Sequence, residues 1–461
     1  MLYPHAMAQG GIILGDWTHR RGDPGGTRAI SADVARARPE VAWVWEPEHE
    51  GTVDQVRIVG GCVYVASMLP RDDDAPGWEH PVIYALDAHT GQVVARRALP
   101  DPVPVSAMMA GDGVVHVIAT RKGEPIFWYT LQAVDLLPGH RRVIELDRDP
   151  RHEDVLDAWL SPGGGVWLEL ESAMGGTRGR AYVFIGDGVT RGTTQTHEDD
   201  VASADFGAPA RDACCDGHTL FAPLASAWRG EEDGVIDGGT SPALWKIDPK
   251  AGSLEGALDD ETLAAPARGA WARAELSGPR ATLHAIAAEG MVCVIAAAHD
   301  TTREGRAVVQ ALGVDRSSEV VRWKSAVARV PIRASLGHAA RVARRPGGEI
   351  LFQSMRSDGT PCSDLVSARP DGRLESLALG NGKRFLLDAA LGELVLAHHE
   401  AKNGRVTVCG FEIDREGRLL GRRSVAQWTV ETSDLGGSTT VYAGAGHIVV
   451  RGARAIAAIR C

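Results

Sequence analysis

The sequence predicts an all-β protein built from a repeated unit of short antiparallel strands. Short apolar strands with alternating polarity recur along the chain, and Gly is abundant at 54 of 461 residues, which favours many tight turns. One strand-and-turn pattern also occurs several times. Its clearest copies are VIYALDAHTG (82–91), TLQAVDLLPG (130–139) and ALWKIDPKAG (243–252).

Each copy of this pattern places a Gly four residues after an Asp. An Asp side chain can accept hydrogen bonds from the amides that follow it, and Gly can adopt the positive φ that reverses the chain. The pattern therefore predicts a hairpin. VCGFEIDREG (408–417) is a shorter variant and DLVSARPDG (364–372) a degenerate copy. The Asp–Gly pairs are Asp87 with Gly91, Asp135 with Gly139, and Asp248 with Gly252.

A second element precedes these copies: a Gly-containing turn followed by an apolar strand. Eight such strands recur with a mean period of about 55 residues, which is typical of a β-propeller blade of four strands. The sequence therefore predicts an eight-bladed β-propeller of four-stranded antiparallel blades. These strands begin near residues 62, 114, 166, 218, 291, 349, 393 and 447.

The two ends of the chain predict how the ring closes. Only one strand, AIAAIRC (455–461), follows the eighth repeat, so the last blade lacks its outer strand. VAWVWEP (41–47) precedes the first blade and can supply that strand, which would remove an open sheet edge. We therefore expect a lead-in segment over residues 1–40 and one propeller domain over residues 41–461.

Composition excludes several classes of partner. The formal charge of −11 argues against binding to nucleic acid or to an anionic membrane, because both need a basic surface. No secretory signal is recognisable at the N-terminus, and no apolar run is long enough to span a bilayer. The seven cysteines are scattered, which is typical of reduced thiols. These features predict a cytoplasmic location.

The pattern YALDAHTG resembles the PQQ-like repeat of quinoprotein-type eight-bladed propellers. The opening GDWTHRRGDPGGTR (15–28), followed by VAWVWEP, is similar to the Trp-x-x-x-Arg-Gly-Asp lead-in that is common in bacterial members. The resemblance implies a propeller from a bacterium. It does not decide the function, since the fold serves dehydrogenases, assembly factors and binding platforms alike.

Cys214 and Cys215 suggest one catalytic alternative. In the quinoprotein alcohol dehydrogenases that the chain resembles, adjacent cysteines form a ring disulfide over the bound quinone. Here the match ends with Asp216, and the calcium ligands and catalytic Asp of those enzymes are not identifiable in the sequence. We interpret the pair as two consecutive strand residues, because Cys is a small and readily buried apolar residue. No cofactor is predicted.

Other motifs also predict no enzyme. The run Asp72 to Asp74 lacks the spacing and the bidentate Glu of a calcium loop, and we interpret it as a solvated acidic loop. The sequence contains neither a G-x-S-x-G nucleophile elbow nor a Gly-rich phosphate loop ending in Lys-Ser or Lys-Thr.

The connections between the second and third strands of the blades are the longest, and they should all emerge at one end of the propeller. Long loops on a rigid scaffold often carry function. The predicted connections span 67–81, 171–180, 226–242, 299–306 and 398–405. Two of them combine a Trp with carboxylates, and the candidate partner-binding residues are Trp78 with Asp72, Asp73 and Asp74, and Trp228 with Glu231, Glu232 and Asp233.

We therefore predict a non-enzymatic propeller that binds another protein, as a scaffold, adaptor or regulatory partner. Trp is a favoured interface anchor, and the carboxylates would attract a basic partner. The opposing interpretation is that these are solubilising loops whose Trp side chains pack on their own blades. Two other functions remain open: a PQQ-dependent dehydrogenase using Cys214 and Cys215, and an envelope assembly factor.

Overall fold

A computed structural model gives the architecture of the chain. It describes residues 19, 29–30, 41–48, 51–70, 78–121, 124–144, 152–161, 165–174, 177–185, 214–216, 219–224, 243–247, 282–288, 290–300, 302–316, 320–332, 339–345, 348–355, 361, 363–377, 379, 385–391, 394–400, 405–412, 426–431, 439–444 and 446–460. The regular elements within these residues are all β-strands, so the predicted all-β class is confirmed.

The first four sheets follow two short N-terminal strands, β1 (Ala29–Ile30) and β2 (Val41–Trp45). The first sheet contains β3 (Thr52–Val59), β4 (Cys62–Pro70), β5 (Trp78–Asp87) and β6 (Val93–Ala98). The second contains β7 (Val105–Gly111), β8 (Val114–Ala119), β9 (Ile126–Gln132) and β10 (Pro138–Ile144). The third contains β11 (His152–Ser161), β12 (Gly165–Met174) and β13 (Thr177–Ile185), and the fourth contains β14 (Cys214–Asp216), β15 (Thr219–Leu224) and β16 (Ala243–Ile247).

The remaining four sheets follow in chain order. The fifth contains β17 (Thr282–Ala288), β18 (Met291–His299), β19 (Arg306–Asp315), β20 (Val321–Lys324) and β21 (Ala328–Pro331). The sixth contains β22 (Ala339–Arg344), β23 (Ile350–Met355), β24 (Leu365–Ala368) and β25 (Leu374–Leu377). The seventh contains β26 (Leu386–Leu391), β27 (Leu394–Glu400), β28 (Arg405–Glu412) and β29 (Ala426–Glu431), and the eighth contains β30 (Thr440–Gly444), β31 (His447–Arg451) and β32 (Ile456–Arg460).

Within each sheet, strands that follow one another in the chain pair antiparallel, except that β21 pairs with β19 and not with β20. Two N-terminal strands join sheets formed far along the sequence. β2 pairs antiparallel with β32 as the outer strand of the eighth sheet, and β1 pairs parallel with β26 on the inner side of the seventh. Four strands are described in the first, second, sixth and eighth sheets, whereas the third and fourth show three each within the described residues.

The positions of the second strands agree with the repeat read from the sequence. All eight begin within one residue of the predicted start, from Cys62 in β4 to His447 in β31. The turns before them use positive φ as expected, for example at Gly61, Gly113 and Gly290. Glycine tolerates this conformation because it has no Cβ.

The Asp–Gly hairpin is confirmed in one clear copy and needs correction in another. Asp87 Oδ1 accepts the Thr90 amide at 2.8 Å, and Gly91 has φ +71°. In the second copy the residue with positive φ is Leu136, not Gly139. Gly139 lies in β10, where a Cβ would come within 2.5 Å of Thr130 Oγ1. Close approach, and not a left-handed conformation, therefore requires glycine there.

The apolar core lies between consecutive sheets. Tyr64 of the first sheet packs in one cluster with Met108 of the second, and Phe352 of the sixth packs with Ile295 of the fifth. One cluster joins residues of the seventh, eighth and first sheets, among them Leu396, Val449 and Val56. The first strands also contact one another in order: β3, β7, β11, β14, β17, β22, β26, β30, and β30 with β3. This arrangement of sheets is that of a β-propeller.

Trp43 attaches the N-terminal strand β2 to the first sheet. Its indole Nε1 donates to Ala88 O at 2.9 Å, and its ring covers Gly91. A Cβ at Gly91 would lie 2.6 Å from Trp43 Cδ2. The hairpin turn between β5 and β6 is thus the surface on which β2 docks.

Replacing Gly91 by Ala should destabilise the protein by about 2–4 kcal/mol, because the new Cβ adds a steric clash to the cost of a positive φ. Gly61→Ala is the matched control, since Gly61 has φ +80° and nothing lies within 4 Å of its Cβ position. It should cost only about 1 kcal/mol. Urea unfolding of the full chain measures both. Equal losses would show that the contact with Trp43 imposes no constraint.

Candidate functional site

Trp78 occupies a strand and not a loop. It is the first residue of β5 and pairs with Pro70 at the end of β4. The prediction that it belongs to a loop over residues 67–81 is therefore wrong, because the β4–β5 ladder extends further than the sequence pattern indicated. Its role in partner binding stays a prediction. The other candidates, Asp72, Asp73, Asp74, Trp228, Glu231, Glu232 and Asp233, lie outside the described residues.

A second predicted loop is also a hairpin. Residues 171–180 continue β12 and β13, with pairs from Glu171 opposite Arg180 to Met174 opposite Thr177. The polar, Gly-containing sequence suggested a loop, but backbone pairing carries the two strands through it. Only residues 175–176 connect them.

The connection between β18 and β19 shows how a loop at this end is held. Asp300 Oδ1 accepts hydrogen bonds from the amide and hydroxyl of Thr302, and Arg329 Nε donates to Asp300 Oδ2 at 3.0 Å. The hydrogen bonds from Thr302, followed by those from Arg329, lower the pKa of Asp300. Residues 302–306 are exposed. This loop therefore presents exposed side chains on a backbone held by an internal carboxylate.

Cys214 and Cys215 lie in β14, and both are almost fully buried. Cys214 belongs to an apolar cluster with Phe221 of β15 and Ala285 of β17. A quinone platform needs the two sulfur atoms to face a bound cofactor. Burial of both residues, one of them in the packing between the fourth and fifth sheets, does not fit that arrangement.

Sequence reasoning missed a set of buried ionisable residues on the first and second strands of the sheets. Their signal is a single charged or His residue within an otherwise apolar strand, as in LLDAAL (386–391). Groups of this kind are seldom fully buried unless they are paired. The set comprises Arg57, Asp157, Glu169, His284, Arg344, Asp388, His398 and His447.

The best-defined group in this set links the sixth and seventh sheets. Asp388 and His398 are both fully buried, and His398 Nδ1 lies 2.8 Å from the Asp388 carboxylate. Arg341 of β22 donates from Nη1 to Asp388 Oδ1 at 2.8 Å and to Leu387 O at 3.0 Å. One carboxylate therefore holds a cation from the neighbouring sheet and an imidazole from its own.

An irregularity in β26 produces this geometry. The β26–β27 register shifts between Leu387 and Ala389, so Asp388 is an extra residue in its strand. A β-bulge of this kind redirects a side chain. Gln353 of the sixth sheet holds the backbone just before this bulge. Its Oε1 accepts the Leu387 amide at 2.9 Å, and its Nε2 donates to Phe385 O at 2.8 Å.

A second buried group lies where the N-terminal segment meets the first three sheets. His19 is almost fully buried, and its Nε2 accepts a hydrogen bond from the Leu160 amide of β11 at 3.2 Å. Burial, followed by the nearby Arg57 of β3 and His116 of β8, lowers the pKa of His19 to about 3. The histidine is therefore neutral near pH 7.

Two kinds of feature are absent from the described residues. Among them, no group of three or more His, Cys, Asp or Glu side chains is arranged to hold a metal ion. Nor does this part of the chain form any helix of the length and apolarity needed to span a membrane.

Comparison with known proteins gives only distant structural likenesses. No protein-family model matches the chain, and no curated protein sequence matches it. BamB from Moraxella catarrhalis is similar at 10% identity and a TM-score of 0.42, over 92% of this chain and all of that one. A quinohemoprotein alcohol dehydrogenase from Comamonas testosteroni is similar at 12% identity and a TM-score of 0.45, over 97% of this chain and 80% of that one. A second quinohemoprotein alcohol dehydrogenase, from Pseudomonas putida HK5, has the same identity and coverage with a TM-score of 0.43.

Removing the Asp388 carboxylate should strongly destabilise the protein. Asp388→Ala leaves the fully buried His398 and the half-buried Arg341 without their shared partner. Removing one partner of a buried ion pair costs about 3–5 kcal/mol. Glu124→Ala is the control, because it breaks the exposed Arg121–Glu124 pair. It should change stability by less than about 1 kcal/mol. Chemical denaturation compares the two, and equal effects would contradict a linking role for Asp388.

Proposed function

We propose that the eight sheets are the blades of a single closed ring. The contacts among the first strands return from β30 to β3, and β2 completes the sheet that contains the last strand of the chain. The cluster shared by the seventh, eighth and first sheets supports the same closure. The Gly91→Ala experiment tests this closure, because that substitution disturbs the docking of β2 against the first blade.

We propose further that this ring is a non-enzymatic platform that binds another protein. The observation that carries the proposal is the difference between its two ends. In an antiparallel sheet, the first and third connections lie at one end and the second connection lies at the other. The two ends differ in the length of these connections.

At the end formed by the first and third connections, three blades have short turns that are bonded to each other, whereas the third connection of the seventh blade spans 413–425. Each of three blades uses the same hydrogen bond between its two turns: Ala88 N to Gly61 O, Ala133 N to Gly113 O, and Arg316 N to Gly290 O. The three distances are 2.8–2.9 Å. Such short and mutually bonded turns leave little side-chain surface for recognition.

The second connections, at the other end, are longer in several blades. The intervals between strands are 71–77 in the first blade, 225–242 in the fourth, 300–305 in the fifth and 356–364 in the sixth. Within the interval 300–305, residues 302–305 are exposed, and Asp300 holds the backbone through the Thr302 amide. Long connections on a rigid scaffold are suited to recognising a partner.

The partner that fits best is a protein with a basic surface. The intervals 71–77 and 225–242 contain Asp72 to Asp74 and Glu231 to Asp233, and the chain carries a formal charge of −11. Electrostatic complementarity of this kind accelerates association. Trp78 and Trp228 remain the proposed anchors, and the cytoplasm remains the proposed location.

Variants at the two ends test the platform. We expect Trp228→Ala to reduce recovery of the partner from the native host by about tenfold or more, as is typical of a Trp hot spot. Trp78→Ala should act in the same direction. His89→Ala, an exposed residue of a tight turn at the opposite end, should leave recovery unchanged. Quantitative pull-down measures all three. Unchanged recovery together with a lower melting temperature would mean that the tryptophans are core residues.

A ligand titration distinguishes the platform from a quinone-dependent dehydrogenase. A ligand that binds only the folded state at a hundred times its Kd stabilises that state by about 2.7 kcal/mol. For the proposed platform, PQQ with Ca²⁺ should leave the melting temperature unchanged. A clear rise that disappears in Cys214→Ser would favour the dehydrogenase instead.

A further inference from the structure

The described part of the N-terminal segment contacts the inner edges of two sheets. His19 bonds to β11, the first strand of the third sheet, and β1 pairs with β26, the first strand of the seventh. Neither contact involves the outer strands. These two described contacts are therefore both with first strands, of sheets that lie four positions apart in the order of contacts.

The contact at His19 depends on its protonation state. Nε2 accepts the Leu160 amide, so in the neutral ring the remaining proton is on Nδ1. A protonated imidazole has no acceptor nitrogen and would lose this hydrogen bond. It would also place a positive charge in a buried position beside Arg57.

We propose that His19 forms an acid-released contact: neutral His19 accepts the Leu160 amide on the inner edge of the third sheet, and protonated His19 detaches from it. The ionisable groups near it include Arg57 of β3 and His116 of β8, while β11 contributes the Leu160 amide and also carries the buried carboxyl of Asp157. A positive charge on Arg57 or on protonated His116 opposes protonation of docked His19. This inference goes beyond the proposed function and does not depend on it.

The sign of the pH effect follows from the two states of the contact. The pKa of docked His19 is lowered to about 3 from its ordinary value of 6.5, so the detached state binds the proton more tightly. Docking is therefore fully stabilised above pH 6.5 and is weakened as the pH falls toward 3. Between pH 7.5 and pH 5 the ratio of detached to docked His19 should rise about 30-fold.

Hydrogen exchange at the Leu160 amide measures this ratio directly. We would record deuterium uptake by mass spectrometry on the full chain at pH 7.5, 6 and 5, correcting each rate for the intrinsic pH dependence of exchange. The peptide that contains Leu160 reports detachment. A peptide from β31, which is buried between β30 and β32, reports global unfolding and should stay protected.

Two variants separate His19 from other titrating groups. His19→Gln keeps a carbonyl acceptor that does not titrate, so exchange at Leu160 should become independent of pH in this range. His89→Gln changes an exposed histidine and should keep the 30-fold rise. A rise that persists in His19→Gln would overturn the proposal. So would unchanged protection of the Leu160 peptide in the natural chain at pH 5, which needs no variant to fold.

Discussion

Neighbouring sheets of this protein share apolar faces, and no helix in the described residues covers these faces. Each face must therefore pack against another sheet, and the apolar clusters accordingly lie between neighbours. Burial of apolar surface is the dominant favourable contribution to folding. This requirement explains why the eighth sheet packs against both the seventh and the first.

The same packing explains where the buried charges lie. The first strands of the sheets contact one another, so a side chain there has little access to water. A charge in that position must be compensated, as Asp388 is by Arg341 and His398. Where the N-terminal segment enters, His19 is buried without charge. The inner strands therefore carry a compensated charge at Asp388, and β11 also binds an uncharged, buried histidine.

The sequence predicted features that depend on neighbouring residues and was less successful where distant residues meet. Cys62 and His447 begin their strands as expected, because a Gly turn and apolar alternation are local properties. Trp78 was assigned to a loop because its neighbours are polar, whereas pairing with Pro70 places it in a strand. Gly139 matched the turn pattern, but contact with Thr130 is what requires glycine there.

The sequence by itself determined the all-β class, the repeat and the positions of the eight second strands, since periodic polarity and turn residues specify local backbone conformation. It also indicated residues 41–47 as the strand that would join the last repeat. Only the tertiary structure decided that Trp43 docks on Ala88, that Asp388 meets Arg341, and that His19 lies against Leu160. These contacts join residues that are 45, 47 and 141 positions apart. Such pairings arise from the packing of whole sheets, which no local pattern encodes.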